Sequence, residues 1–340
     1  MNNRTKLILT VLISAAALVA AVGIGTVFIG PGEIGSILWH KITGSALPEN
    51  FDPIKVSILW DIRLPRVCLS FLVGGALAAS GTVMQSVLKN PLASSYTLGV
   101  SSGASLGAIL VMVTGFTLPV IGMFTLPLAG FIFGLATVFA AVGFTRKLDR
   151  SMHSNTIILV GMVFSLFVNA ILTLLSAAFR EHLQQLILWQ MGSFSGRDWS
   201  NVLVILPLVL LGVLFLCRYS REMDIMTFGE DTAMTVGVDT RRVKLILIAA
   251  ASLLTGAAVA FTGVIGFVDL IAPHVVRRFF GAAHRWVIPL SALFGGTFMA
   301  VADLAARTVL SPTELPVGAV TALIGAPFFV YVYFRKRRAA

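Results

Sequence analysis

Three side chains able to carry a proton or a charge stand inside long apolar runs: Asp269, His274 and Asp303. A lone carboxylate in such a run costs about 2.5–3.5 kcal/mol on insertion scales, so each needs a partner or a task. One chemistry is proton relay, which would make the protein a proton-coupled secondary transporter using Asp269, His274 and Asp303. The other is structural. Arg307 lies four residues beyond Asp303 on the same helical face and could pair with it, and His274, directly after Pro273, could serve as a hydrogen-bonding group. Metal chemistry is not indicated, because no His or Cys cluster has ligand spacing. Cys68 and Cys217 both fall in apolar runs, where they read as small buried side chains rather than a disulfide. There is no GxxxxGK[ST] loop to cradle a phosphate. The longest stretch between apolar runs, from Gly30 to Arg63, has about 34 residues, too few for an enzymatic domain. The chain therefore offers no catalytic residues and no cofactor of its own, and energy from a nucleotide must enter through a partner.

The elements that position these groups are membrane helices. The chain is 57% hydrophobic and 12% charged, about half the charge of a soluble domain, and its mean hydropathy is +0.93. Its apolar runs are continuous rather than alternating, which favours helices over a barrel. The sequence predicts an all-α, polytopic protein in one domain, with ten spans at 7–29, 64–86, 96–115, 118–144, 155–178, 201–217, 243–264, 266–280, 286–306 and 316–334. The eighth is short and holds Pro273. The first resembles a signal peptide, but its apolar part of about 23 residues from Leu7 exceeds a typical h-region. Ten spans place both termini on one side. With that side in the cytoplasm, the inside segments hold 18 of the 25 Lys and Arg residues, as the positive-inside rule requires. The net charge of +10 then reads as an orientation signal in a lipid bilayer, with no nucleic acid implied. The seven basic residues left outside include Arg63, Arg66 and Arg307.

An internal repeat appears at an offset of 182 residues. "GGALAASGTVMQSVLKNPL" from Gly74 matches "GAAVAFTGVIGFVDLIAPH" from Gly256, pairing Gly81 with Gly263, Pro91 with Pro273 and Gly99 with Gly281. Two halves, about 1–180 and 181–340, of five spans each would be inverted relative to one another, a usual basis for alternating access.

Five segments in order carry a family resemblance: "DIRLPRVCLSFLVGGALAASGTVMQSVLKNPLASSYTLGVSSGAS", "WQMGSFSGRDW", "FGEDTAMTVGVD", "GAAVAFTGVIGFVDLIAPHVVRR" and "VADLAARTVLSPTELPVGAVTALIGAPFF". Together they resemble FecCD-type permeases, the membrane subunits of ABC importers for iron–siderophore complexes, haem and cobalamin. The resemblance covers residues 57–334 and rests on "RLPR", "NPLA", "PH" and "ELPVG" taken together. It implies a bacterial cytoplasmic-membrane protein whose pore is shared with a second permease subunit, identical or merely similar. It also implies two cytoplasmic ATPase subunits, which hold ATP and Mg²⁺, and an extracytoplasmic substrate-binding protein. Ferric siderophore is the first expected cargo.

The resemblance also assigns roles. The loop at about 218–244 would couple to the ATPase through Gly229, Glu230, Ala233 and Gly237. The two glycines bracket about two helical turns, Glu230 and Asp231 sit at the positive helix end, and small Ala233 allows close docking. Arg63, Arg66 and Arg307 would hold carboxylates of the binding protein through guanidinium forks; the alternative is snorkelling to lipid headgroups. Asn90 and Leu92, with Ser154 and Asn155, would close the cytoplasmic gate, and Ser154 or Asn155 could equally cap a helix. Two departures stand out: "NPLASS" where the family has "NPLADP", and Asp269 where the family mostly has Gly.

Overall fold

The computed structural model describes residues 3–46 and 51–338, with side chains for 4–46 and 51–330. The side chains of the basic tail, from Arg335 to Arg338, lie outside the described residues. No strand occurs among the described residues. The bundle is formed by α1 (Asn3–Gly23), α2 (Leu64–Val87), α3 (Val100–Thr114), α4 (Thr125–Leu148) and α5 (Ser154–Ala178). It continues with α6 (Trp199–Arg218), α7 (Thr240–Thr262), α8 (Val268–Phe280), α9 (His284–Thr308) and α10 (Val317–Arg338). Each predicted span overlaps one of these. Among the described residues, seven segments, built on α1, α2, α4, α5, α6, α7 and α9, are long and apolar enough to cross a membrane alone. The protein is thus an all-α, multi-pass membrane protein with about ten membrane helices.

α3 and α8 are shorter than their sequence runs suggest. The chain from Asn90 to Gly99 dips back into the bundle, where Ser95 Oγ lies 2.9 Å from Ser80 Oγ in the middle of α2. α3 therefore starts within the bundle and needs only 15 residues. α8, with 13, begins beside that re-entrant turn and the last turns of α2: Ser94 Oγ donates to the Asp269 carboxylate, and Gln85 Nε2 to the Asp269 carbonyl at 3.2 Å.

α2 is the central helix, its length mostly buried. It crosses α9 so closely that a side chain at Gly74 would run into the Gly295 carbonyl. Lipid gives no hydrophobic drive between helices, so small residues that let backbones touch supply the packing. α2 also meets α7 through a polar knot, with Ser80 Oγ bonded to the Ala251 carbonyl at 2.8 Å and to Thr255 Oγ1 at 2.6 Å. Such bonds hold helices together where water cannot compete.

Contacts between loops define the two ends. At one, rich in Lys and Arg, Lys6 of α1 donates to the Phe279 carbonyl at the end of α8, and Ser154 at the start of α5 reaches the Val87 carbonyl at the end of α2. At the other end, Arg63 before α2 meets the end of α1, and Arg66 meets the end of α9. α2 runs towards the basic end and α7 away from it. The two best-matched repeat segments are therefore antiparallel, as inversion requires. The fixed offset does not extend past them. Pro91 stands in a turn and Pro273 inside α8, while Gly99 opens α3 and Gly281 closes α8.

Candidate functional site

Between α6 and α7 at the basic end lie two short helices, Ser220–Met226 and Glu230–Thr235. Gly229 between them has φ 122° and ψ 152°, a region open only to glycine, and Gly237 after them has φ 90°. Two bonded pairs pin the segment. Asp224 Oδ1 lies 2.6 Å from His284 Nδ1 at the start of α9. Glu230 Oε2 lies 2.6 Å from Lys244 Nζ on α7. Partial burial pushes the Glu230 carboxyl up, but the hydrogen bond and charge of Lys244, together with Lys89, outweigh this and hold it below its ordinary value. Ala233 is fully buried against the bundle, so its methyl does not face outward as the sequence suggested. Phe228, Met234 and Val236 face outward instead, at 80%, 53% and 66% exposure.

The expected gate residues lie on two neighbouring turns. Asn90 Oδ1 accepts from the Leu92 N–H at 2.9 Å, which fixes the turn after α2 and leaves Leu92 exposed. Ser154 Oγ donates to the Val87 carbonyl at 3.4 Å, and Asn155 is exposed. Neither Ser154 nor Asn155 caps α5. His153 holds the cap position, and Asp149 accepts its N–H at 2.9 Å. That bond and the neighbouring N–H groups hold the Asp149 carboxyl well below the usual carboxylate range.

At the opposite end the structure brings Arg63, Arg66 and Arg307 together, all largely buried. Arg63 donates to the carbonyls of Val22, Gly23 and Val27 at 3.1, 3.0 and 2.6 Å, and Arg307 to that of Ala21. The carbonyls of Ala21, Val22 and Gly23 close α1 and that of Val27 lies in the turn after it; cations at a helix C-terminus also complement the helix dipole. Arg66 binds Asp303 through Nε at 3.0 Å and Nη2 at 2.9 Å, and Glu314 through Nη1 at 2.8 Å. The i,i+4 pair with Arg307 expected from sequence is present at 3.9 Å, but Arg66 is the main partner of Asp303. Arg66 in turn holds the Glu314 carboxyl below its ordinary value.

Asp269 lies in the first turn of α8, buried, with its carboxylate bonded to Ser94 Oγ in the re-entrant turn. The two departures from the family pattern therefore touch each other. His274 packs edge-on against Phe328 of α10. Asp269 and Asp303 are held by different partners in different parts of the bundle.

The profile of the FecCD transport family matches residues 8–335. The chain belongs to the FecCD transport family. It is 43% identical to an ABC transporter permease protein, YvrB, of Bacillus subtilis over 95% of this chain and 92% of that one. It is 40% identical to the cobalamin import system permease BtuC of Halobacterium salinarum over 89% and 81% of the two chains. The hemin transport system permease HmuU of Yersinia pestis is 39% identical over 88% and 87%. Among solved structures, a metal-chelate type ABC transporter in an inward-facing conformation matches with a TM-score of 0.84 at 30% identity, covering 98% and 99% of the two chains. A FecCD chain is the permease subunit of an ABC transporter and not an enzyme; ATP hydrolysis belongs to a separate subunit. The secondary-transporter reading is set aside accordingly.

Several residues of this FecCD site escaped the sequence. Lys244 carried a usable signal, a base one turn inside an apolar helix, beyond Arg241 and Arg242. Glu314 stood within the quoted "ELPVG", but nothing local pairs it with Arg66, 248 positions away. Asp224 and His284 belong to different loops, and no spacing links them.

Proposed function

We propose that this permease imports a large metal chelate by alternating access, as one of two membrane subunits driven by two ATPases at the basic end. The observation that carries this is the segment from Ser220 to Gly237. It is anchored at two points and turns an apolar face, Phe228, Met234 and Val236, away from the bundle. An apolar patch on a polar, basic end is suited to a protein partner. The basic end is placed in the cytoplasm, with both termini there, by the positive-inside rule. The outward face of α5, with Leu159, Leu166 and Phe167 exposed, suits a pathway or contact shared with the second permease. Leu92 and Asn155 are proposed to close it on the cytoplasmic side. Relatives named for cobalamin and haem support a bulky chelate, and ferric siderophore is the finer proposal.

The test is import into vesicles holding the permease, its ATPase and its binding protein. Uptake is expected to need ATP and Mg²⁺ on the side of the basic end and binding protein on the other. It is expected to survive a protonophore, to persist in Asp269→Asn, and to favour a ferric siderophore over haem and cobalamin. Uptake abolished by the protonophore while ATP stays abundant would reject the mechanism; preference for haem or cobalamin would reject only the siderophore assignment.

We also propose that Arg63, Arg66 and Arg307 attract the binding protein. Their forks are engaged within the chain, so the attraction acts through the field of the cluster rather than through open guanidinium groups. Affinity is then expected to fall between about 0.01 and 1 M salt, as the screening length drops from about 30 to 3 Å. An affinity indifferent to salt would leave the three arginines as purely structural groups.

A further inference from the structure

A lysine without exposed surface, paired with Glu230, joins the coupling segment to both gate turns. Lys244 Nζ donates to Glu230 Oε2 at 2.6 Å and to the Met152 carbonyl at 3.0 Å. The other carboxylate oxygen, Glu230 Oε1, faces Lys89 Nζ at 3.5 Å. Lys89 directly precedes Asn90, and Met152 stands two residues before Ser154. Both have left-handed backbones, φ 49° and 55°; among the described non-glycine residues only Phe267 shares this sign. Non-glycine residues hold that conformation only where the surroundings enforce it. At Met152 the side chain is fully buried and the carbonyl is held by Lys244. At Lys89 the ammonium is held by Glu230. Ser154 Oγ, bonded to the Val87 carbonyl, ties the two turns to each other.

We infer that the Glu230–Lys244 pair is the mechanical link by which movement of the coupling segment reaches the gate turns. The physical reason is the cost of separating the pair. A buried ammonium that loses its carboxylate is left uncompensated in a low-dielectric site. Displacement of the helix Glu230–Thr235 must therefore carry Lys244 with it, and with Lys244 the Met152 carbonyl. Glu230 draws Lys89 on the opposite turn by the same movement. The second anchor, Asp224 to His284, reaches α9 and touches neither turn. Lys244 and Glu230 act as positioning residues, since neither is assigned to the cargo. The inference rests on the reading that this segment docks the ATPase.

The test uses the full permease–ATPase complex in vesicles, with Lys244→Met, Glu230→Gln and Lys244→Arg. Import per ATP hydrolysed is expected to fall at least about fivefold in the first two, the lower end of ordinary coupling between sites. The ATPase should remain bound. Lys244→Arg keeps a charged donor and should recover part of the loss; a mere staple would alter stability without altering this ratio. Hydrogen exchange gives the second readout. In the wild type, ATP with vanadate should change protection at 89–92 and 152–155, and in Lys244→Met that response should disappear. Wild-type import per ATP and wild-type exchange in Lys244→Met overturn the link. If that variant fails to assemble, the same result in Glu230→Gln overturns it. If the ATPase gives no protection to residues 230–235 in the wild type, the docking reading fails, and the link falls with it.

Discussion

Asp303→Asn is expected to destabilise the folded permease by about 3–5 kcal/mol, the range for removing one member of a buried ion pair. The Asp303 side chain is fully buried, and that of Arg66 is 8% exposed. The guanidinium fork meets both carboxylate oxygens between 2.9 and 3.1 Å. The asparagine keeps the shape but removes the charge, so Arg66 is left with Glu314 alone, and Arg307 loses its nearest carboxylate. The damage should spread along the chain. Arg66 opens α2, Asp303 lies near the end of α9, and Glu314 belongs to the loop before α10, so one cation fastens three segments. Glu314→Gln is the matched comparison. Its carboxylate is 39% exposed, and partly solvated pairs contribute little, about 0–1 kcal/mol. Thermal unfolding in nanodiscs measures both. Equal melting temperatures for Asp303→Asn and Glu314→Gln would show that the buried bonds do not dominate this end of the fold.

The same arginines show where sequence reading stops. The spans were legible because twenty-residue apolar runs have few alternatives in lipid. The basic loops gave the grouping of the ends, and the loop contacts respect it. Arg63, Arg66 and Arg307 were legible as a group, since the topology put them at one end. Their partners were not. Arg63 and Arg307 bond to backbone carbonyls at the end of α1 and in the turn after it, which leave no mark in the side-chain sequence. Asp303 has a base four residues away and takes another one 237 positions away, because tertiary approach overrides helical spacing. The shortening of α3 and α8 was hidden for a related reason. Hydropathy records how apolar a run is, not whether its first turns fold back into the bundle. At the coupling segment, the bracketing glycines followed from sequence, but a six-residue helix has no periodicity long enough to tell its inner face from its outer one.

That last ambiguity yields the second large effect. Val236→Asp or Met234→Asp is expected to weaken ATPase binding by about 2 kcal/mol or more, roughly thirtyfold in affinity, as for an anchor residue at an interface. The permease itself should melt as the wild type does, because both side chains are exposed. Ala233→Phe should behave in the opposite way. Ala233 has no exposed surface, so a ring there must displace the bundle, at a cost of about 1–3 kcal/mol. Gly237 differs again. An added methyl would meet nothing within 4 Å, and the penalty comes only from φ 90°. Loss of import through Gly237→Val would therefore reflect a distorted loop rather than a blocked contact. Affinity of the purified ATPase for each variant in nanodiscs, read beside the melting temperature, separates the three cases. If Val236→Asp and Met234→Asp bind the ATPase normally while Ala233→Phe melts normally and fails to bind, the docking face is the inner one. The segment would then have to turn over on binding, breaking the Glu230–Lys244 bond that holds it in place.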